Sequence, residues 1–398
     1  MSSVLTNPPH VAIACGGTGG HVFPGLAVAG EIRARSGSVT LLISPKEVDQ
    51  QAVKSAQGLE IITLPAVALQ RGRRLAFLRG FWQSWRAARL LFRSRRPDAV
   101  LAMGGFTSAP PVLAARGLGV KTFLHESNTI PGRANRWLAP WVDQAFVGFP
   151  QTESRLAARH VTCTGTPVRP EFQPRDAAMC RIALGLDASR PVLLVTGGSQ
   201  GASGINDMIL ATLPAFARHA LPWQWLHLSG PQDADKIRQA YEKIGLSAIV
   251  HPFLADMDLA LGAATACVSR AGASSLAELA AVRLPALLIP FPAAADNHQF
   301  YNARAFAETG AAQLLEQRDA TAEKVLELLR GLVEDLAARD AMQAALARWH
   351  APKSAAQIAG KILDAVARSA DHSRAEPESG RTRSQSATIP PLQSSTIA

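Results

Sequence analysis

The sequence predicts an α/β protein of two domains, each a parallel sheet covered by helices. Three observations carry this expectation. Strand-like apolar runs alternate with helical segments over residues 11–147, the same alternation recurs over 192–289, and a glycine-rich turn follows the first strand of each series. At 398 residues, 47% hydrophobic and 18% charged, the chain has the length and composition for two packed cores.

In the first series the strand-like runs are 11–15, 39–43, 61–64, 99–103, 122–124 and 145–147; in the second they are 192–196, 225–228, 248–251, 266–269 and 286–289. The join falls in GTPVRPE (165–171), where two prolines and a glycine interrupt the pattern. The expected division is a first Rossmann-like domain over 1–170 and a second over 171–350. A C-terminal helix over 351–368, with apolar residues at helical spacing, is expected to pack back on the first domain. Residues 369–398, rich in Ser, Thr and Pro, cannot build a core and read as a disordered tail.

Composition excludes several classes. Cys15, Cys163, Cys180 and Cys267 lie far apart with no C-x-x-C pair, so neither a zinc cage nor a disulfide framework is expected. The N-terminus has no basic region followed by an apolar core, and no apolar run approaches the ~18 residues that span a bilayer. Lys and Arg exceed Asp and Glu by 41 to 31. Much of that excess is local: nine arginines and no acid occupy 71–96, interleaved with Leu75, Phe77, Leu78, Phe81, Trp82 and Trp85. Such a basic amphipathic stretch suits an anionic membrane surface, with Phe77, Leu78, Phe81, Trp82 and Trp85 dipping below the headgroups and Arg73, Arg74 and Arg79 beside them. The alternative is a helix pair whose aromatic side is ordinary core. Charge alone would also permit nucleic acid, but no recognised module supports it, and none is expected as a partner.

The first turn, GGTGGH (16–21), runs from a buried strand into a helix, so backbone amides at a helix N-terminus can approach an anion or a sugar. The same turn without a ligand would be simple strand-to-helix geometry. A dehydrogenase fits less well, because the spacing is not G-x-G-x-x-G and the second strand ends Leu42-Ile43-Ser44 where a ribose-binding acid would stand. His21, at that helix start, is either structural or a general base. The positive end of the helix favours the neutral imidazole that a base requires.

The second turn, GGSQGASG (197–204), repeats the device. Further on, SRAGASSLAE (269–278) follows a strand with a turn at Gly272; Ser274 or Ser275 is expected to cap the next helix, leaving amides for a pyrophosphate. Glu278 could accept ribose hydroxyls or could merely close a capping box. The next strand ends in a polar cluster, 290–302, at the sheet edge where ligands bind in open α/β folds.

Together the motifs GGTGGHVFPGLAVA (16–29), HESNTIPGRANR (125–136), GTPVRPE (165–171), GGSQGAS (197–203), RAGASSLAE (270–278), PALLIPFP (285–292) and DNHQFYNA (296–303) resemble the peptidoglycan glycosyltransferases of glycosyltransferase family 28 over residues 9–365. The resemblance implies the two-domain GT-B fold. It implies inverting transfer of N-acetylglucosamine (GlcNAc) from UDP-GlcNAc to lipid I, undecaprenyl-pyrophosphoryl-N-acetylmuramoyl-pentapeptide, giving lipid II. On it, Ala273, Ser274, Ser275, Leu276, Ala277 and Glu278 meet diphosphate and ribose, Leu254 the uracil, Gln299 the sugar, and Ser199 and Arg169 the phosphates. Thr18, Gly19, Gly20 and Asn128 complete the donor and acceptor site, with His21 as base. It implies no cofactor and no metal, a peripheral place on the cytoplasmic face of the inner membrane, and other cell-wall synthesis proteins as partners. The rival readings are a UDP-GlcNAc 2-epimerase and a non-catalytic nucleotide-sugar scaffold. Ser127, Thr166, Phe106 and the run Ala109-Pro110-Pro111 depart from the family's usual residues on the acceptor side.

Overall fold

The computed structural model describes residues 8–17, 19–53, 58–65, 74–198, 201–219 and 221–375. Thr18, Arg73 and Ser199 lie outside the described residues, as does the expected tail beyond residue 375.

The first sheet has seven strands, β1 (His10–Ala14), β2 (Ser38–Ile43), β3 (Glu60–Thr63), β4 (Ala99–Ala102), β5 (Lys121–Glu126), β6 (Gln144–Val147) and β7 (Val161–Cys163). They run in the order β3-β2-β1-β4-β5-β6-β7, with the strand pairs parallel. Its helices are α1 (Gly19–Ala34), α2 (Glu47–Ala52), α3 (Arg74–Ser94), α4 (Ala109–Arg116) and α5 (Arg133–Leu138). The sheet is apolar on both faces because helices cover both. Alternation along β1 is the local cause: Val11 and Ile13 join the core beneath α1, whereas Ala12 and Ala14 join the opposite core, which includes Ala88 and Phe92 of α3.

The second domain begins with α6 (Ala177–Ala183) and has six strands, β8 (Val192–Thr196), β9 (Gln224–Leu228), β10 (Ala248–His251), β11 (Ala266–Ser269), β12 (Ala286–Leu288) and β13 (Gln313–Leu314). Their order, β10-β9-β8-β11-β12-β13, repeats the arrangement of the first sheet. Around them lie α7 (Ser203–Arg218), α8 (Ala234–Ile244), α9 (Met257–Ala263), α10 (Ala273–Val282), α11 (His298–Ala307), α12 (Ala322–Glu334) and α13 (Leu336–Trp349). The expected strands all occur, shifted by a residue or two at their ends. Two others, β7 and β13, are so short that their sequences carry no periodic signal. In each sheet the chain reverses direction of winding between the first strand and its later neighbour, β1 with β4 and β8 with β11. Both glycine-rich turns stand at these switch points, where open α/β sheets bind ligands.

The last helix, α14 (Ser354–Ala375), leaves the second domain and lies across the first. Ile358, Ala359, Ile362 and Val366 enter the same core as Val28 and Ile32 of α1. It is a turn or more longer than the helix expected over 351–368, so residues 369–375 are helical rather than part of the tail. The crossover is fastened where Ser354 Oγ donates to Gly165 O (2.9 Å), a carbonyl that also meets His125 Nε2 (3.1 Å).

Ile362 is fully buried in that shared core. Replacing it with Ala should cost about 2–5 kcal/mol, read as a lower urea midpoint; unchanged stability would mean that α14 does not depend on this packing.

Candidate active site between the two domains

β1 delivers Gly16 and Gly17 to the switch point of the first sheet. Gly17 takes φ +115°, a conformation that side chains disfavour. The turn is held from two sides: Asp49 Oδ2 accepts from Gly17 N (2.6 Å), and Thr107 Oγ1 donates to Gly16 O (2.7 Å). Lys46 Nζ donates to Gly17 O (3.2 Å) and lies over the Phe106 ring.

His21, in the first turn of α1, sits against the glycine pair after β4. A Cβ at Gly104 would stand 3.0 Å from His21 Nε2, and one at Gly105 3.1 Å from Nδ1, so this wall must be bare backbone. Burial pulls the His21 pKa down to about 4, with Lys46 and His298 acting in the same direction and Asp49 against them. The imidazole is therefore neutral at neutral pH and able to take a proton.

The segment after β5 is organised by a buried carboxyl. Glu126 accepts from Asn128 N (2.8 Å) and Asn128 Nδ2 (3.0 Å) on one oxygen, and from Gly132 N and Asn135 Nδ2 (both 2.8 Å) on the other. Asn128 Oδ1 then accepts from Asn302 Nδ2 (3.0 Å) of α11, across the domain boundary. Asn302 Oδ1 receives Thr129 N and Oγ1 (both 2.9 Å), and its amide also donates to Ala271 O (3.1 Å). A second link joins Arg133 (3.3 Å) and Arg136 (2.5 Å) to Asp296. One wall of the cleft is thereby tied to the other.

In the second domain, α10 begins differently from expectation. Gly272, with extended backbone, is the N-cap, and Ser274 and Ser275 lie inside the first turn with no side-chain cap bond. A glycine cap has no side-chain acceptor, so the first amides of α10 stay available to a ligand. Ala273 and Leu276 are buried in the core and can offer only backbone; Ser274, Ser275, Ala277 and Glu278 are half-buried. Gln299 Oε1 accepts from Phe291 N (3.0 Å) and Ala271 N (3.3 Å), fixing its carboxamide between the loops after β11 and β12. Buried Arg270 ties the same loops together by donating to Ile289 O (3.1 Å) and Pro290 O (3.0 Å). Arg169, in the linker, lies over Phe23 and Phe172, pairs with Glu171 (3.0 Å), and lowers the Glu278 pKa electrostatically.

Gly19, Gly20 and His21 thus stand at the first switch point and 273–278 at the second, while Asn128 follows β5, Gln299 lies in α11 after β12, and Arg169 is in the linker. Leu254 stands apart, in the loop after β10, the outermost strand, and packs on the second core. Asp49, Glu126, Asn135, Asn302, Asp296 and Arg270 were not singled out in the sequence, although Glu126, Asn135, Asn302, Asp296 and Arg270 fall within the quoted motifs. Asp49 gave no signal: it sits a loop beyond β2, after the Ser44 where no acid was found.

The basic stretch forms one helix, α3, not a helix pair. Leu75, Leu78 and Trp82 are exposed at 83%, 59% and 53%, whereas Phe81 and Trp85 pack against the first core. Of the five expected residues only Leu78 and Trp82 are exposed and Phe77 is half-buried; the exposed apolar side chains of α3 are Leu75, Leu78, Trp82 and Leu90, since a helix buries one side against its sheet. Arg86 lies over Trp82, Arg79 is exposed, and exposed Trp137 meets Phe81 edge-on at 6.4 Å.

Models of glycosyltransferase family 28 match both halves, the N-terminal domain over residues 11–147 and the C-terminal domain over 192–358. The chain belongs to glycosyltransferase family 28. Among its family 28 relatives, a protein of Acidithiobacillus ferrooxidans named as the UDP-N-acetylglucosamine–N-acetylmuramyl-(pentapeptide) pyrophosphoryl-undecaprenol N-acetylglucosamine transferase is 38% identical over 358 residues, 89% of this chain and 97% of the relative. A protein of the same name from Anaeromyxobacter dehalogenans is 35% identical, over 89% of this chain and 93% of its own. The crystal structure of Acinetobacter baumannii MurG matches with a TM-score of 0.69 and 27% identity, over 90% of this chain and all of that one. The family 28 architecture of the chain is the GT-B fold, with the cleft between two parallel-sheet domains.

Burial raises the Glu278 carboxyl to about 7, with nearby Glu171 adding to the rise and Arg169 opposing it. The folded state therefore holds a proton that the unfolded chain releases near pH 4.5, and stability falls as pH rises from there through about 7. Glu278→Gln should remove this slope, gaining roughly 2–4 °C in Tm at pH 8 and nothing at pH 4. Parallel melting curves across that range would contradict a raised proton affinity at Glu278.

Proposed function

We propose that this enzyme transfers GlcNAc from UDP-GlcNAc to the C4 hydroxyl of the muramoyl sugar of lipid I, forming lipid II with inversion at the anomeric carbon. The observation that carries the reading is a histidine set against bare glycine backbone on one wall of a cleft whose other wall is a helix N-terminus without a side-chain cap. His21 takes the proton of the acceptor hydroxyl as its oxygen attacks the anomeric carbon. The bond from that carbon to the UDP oxygen breaks on the opposite face. Negative charge growing on the diphosphate is met by the amides opening α10 and by Arg169, while Glu278 receives ribose hydroxyls. Asn128 and Gln299, each fixed by hydrogen bonds, hold sugar and acceptor in line. Thr18, Gly19 and Gly20 line the acceptor side, Ser199 the phosphates and Leu254 the uracil.

Transfer is favoured over epimerisation because a reaction confined to UDP-GlcNAc leaves the basic apolar face of α3 without a use. On the transferase reading, Leu75, Leu78 and Trp82 enter the headgroup layer while Arg74, Arg79 and Arg86 attract anionic lipid, which brings the cleft to a lipid-linked acceptor. No helix among the described residues is long and apolar enough to cross a membrane. Attachment is then peripheral, on the cytoplasmic face where the nucleotide sugar is found.

With UDP-GlcNAc and a lipid I analogue, the wild-type chain should form the disaccharide product and release UDP, and His21→Ala should turn over ~100-fold more slowly or worse. Formation of UDP-N-acetylmannosamine without acceptor would favour the epimerase, and UDP binding with no product the scaffold. Sedimentation with vesicles containing phosphatidylglycerol should fall at least tenfold when Leu75, Leu78 and Trp82 are all changed to Ser; equal sedimentation would remove the membrane role from α3.

A further inference from the structure

In many dinucleotide-binding folds an acid at the end of the second strand reads a ribose. Here the acid in that neighbourhood, Asp49 of α2, turns inward. It is fully buried, and its Oδ2 receives three donors: Gly17 N (2.6 Å), Ser44 N (3.3 Å) and Ser44 Oγ. Its Oδ1 is buried without a hydrogen-bond partner. Lys46, the adjacent cation, is spent on Gly17 O, and among the described residues no ion pair reaches Asp49. Burying a carboxylate with one oxygen unmet costs several kcal/mol. A neutral Asn could hold the Gly17 amide at less cost, so the hydrogen bond alone does not explain the residue.

The turn that Asp49 grips leads directly into His21. A Cβ on Gly16 would touch Asp49 Oδ2 at 3.0 Å, and one on Gly17 would reach His21 Nδ1 at 4.0 Å, so the glycine pair borders both carboxylate and imidazole. The groups facing His21 are Asp49 from α2, Lys46 from the loop before it, His298 from the second domain and His125 from β5. Lys46 and His298 oppose a positive imidazole, and Asp49 is the one that favours it. Its charge also acts on the buried Cys15 thiol, raising that pKa.

We infer that Asp49 is a positioning residue for His21: its carboxylate fixes the glycine turn through Gly17 N and supplies the buried negative charge that steadies the imidazolium formed during transfer. The inference rests on the reading of His21 as the base. Its chemistry is that of a carboxylate oriented behind a histidine, with the glycine pair bordering both.

The test compares Asp49→Asn, Ser44→Ala and His21→Ala in the full-length enzyme, reading kcat, the KM for UDP-GlcNAc, and the His21 imidazole titration by NMR. Asp49→Asn is isosteric and keeps an acceptor for Gly17 N. It should lower kcat by about 10- to 100-fold with the donor KM within about threefold, and the His21 titration should move further below its wild-type position near 4. A purely structural role predicts the opposite movement, because a loosened turn admits water and returns the pKa toward 6.5. That rise, or an unchanged kcat, overturns the inference. Ser44→Ala removes a donor that shields the carboxylate, so the His21 titration should rise with the fold intact; no change there also overturns it, and this variant remains informative if Asp49→Asn fails to fold. Should His21→Ala retain wild-type turnover, the base assignment fails, while the NMR titrations still report the Asp49 coupling separately.

Discussion

The carboxyl of Glu126 is the contact on which the cleft depends. At the end of β5 the chain must leave the sheet, and the exposed ends of backbone and amide groups there need partners. Glu126 gathers four such donors from Asn128, Gly132 and Asn135. Burial raises its pKa while those hydrogen bonds pull it down, the balance expected of a buried acid held by fixed dipoles. The loop thus set presents Asn128 Oδ1 and Thr129 to Asn302, so a carboxyl inside one domain determines how that domain meets the other. Through Asn135, whose amide lies beside Gly104, the same carboxyl borders the wall on which His21 rests.

Around this frame the electrostatics of the two halves differ in sign and purpose. The first domain keeps a histidine neutral by burial and presents bare backbone to it. The second offers the amides opening α10, and the linker adds cationic Arg169 beside them. On the proposed mechanism neither half is complete alone, because His21 and the amides opening α10 come from separate sheets. The return of α14 across the first core, the Asn302 bridge and the Asp296 ion pairs hold the sheets together.

Family 28 identity and the position of both glycine turns were legible in the residues, because strand, turn and helix N-terminus are all local in sequence and each has a composition demanded by its backbone. The position of His21 in the first turn of α1 could likewise be read from its place after the glycine turn. The cap of α10 was misread because serines and glycine compete for that position, and the winner depends on where the preceding strand ends. Phe81 and Trp85 of α3 pack on the core rather than facing out, because an amphipathic pattern gives the side of a helix that is apolar, not how much of it the neighbouring sheet covers.

The sequence by itself determined two parallel sheets, the order of their strands' supporting motifs, and the chemistry available at each turn, since these follow from periodicity and from residue types within a few positions of one another. Tertiary structure alone decided which distant groups share an environment. Asp49 meets Gly17 across 32 positions, and Asn128 meets Asn302 across 174. Burial and the proximity of charge, which set the proton affinities of His21 and Glu278, are properties of those folded neighbourhoods and have no counterpart in the linear chain.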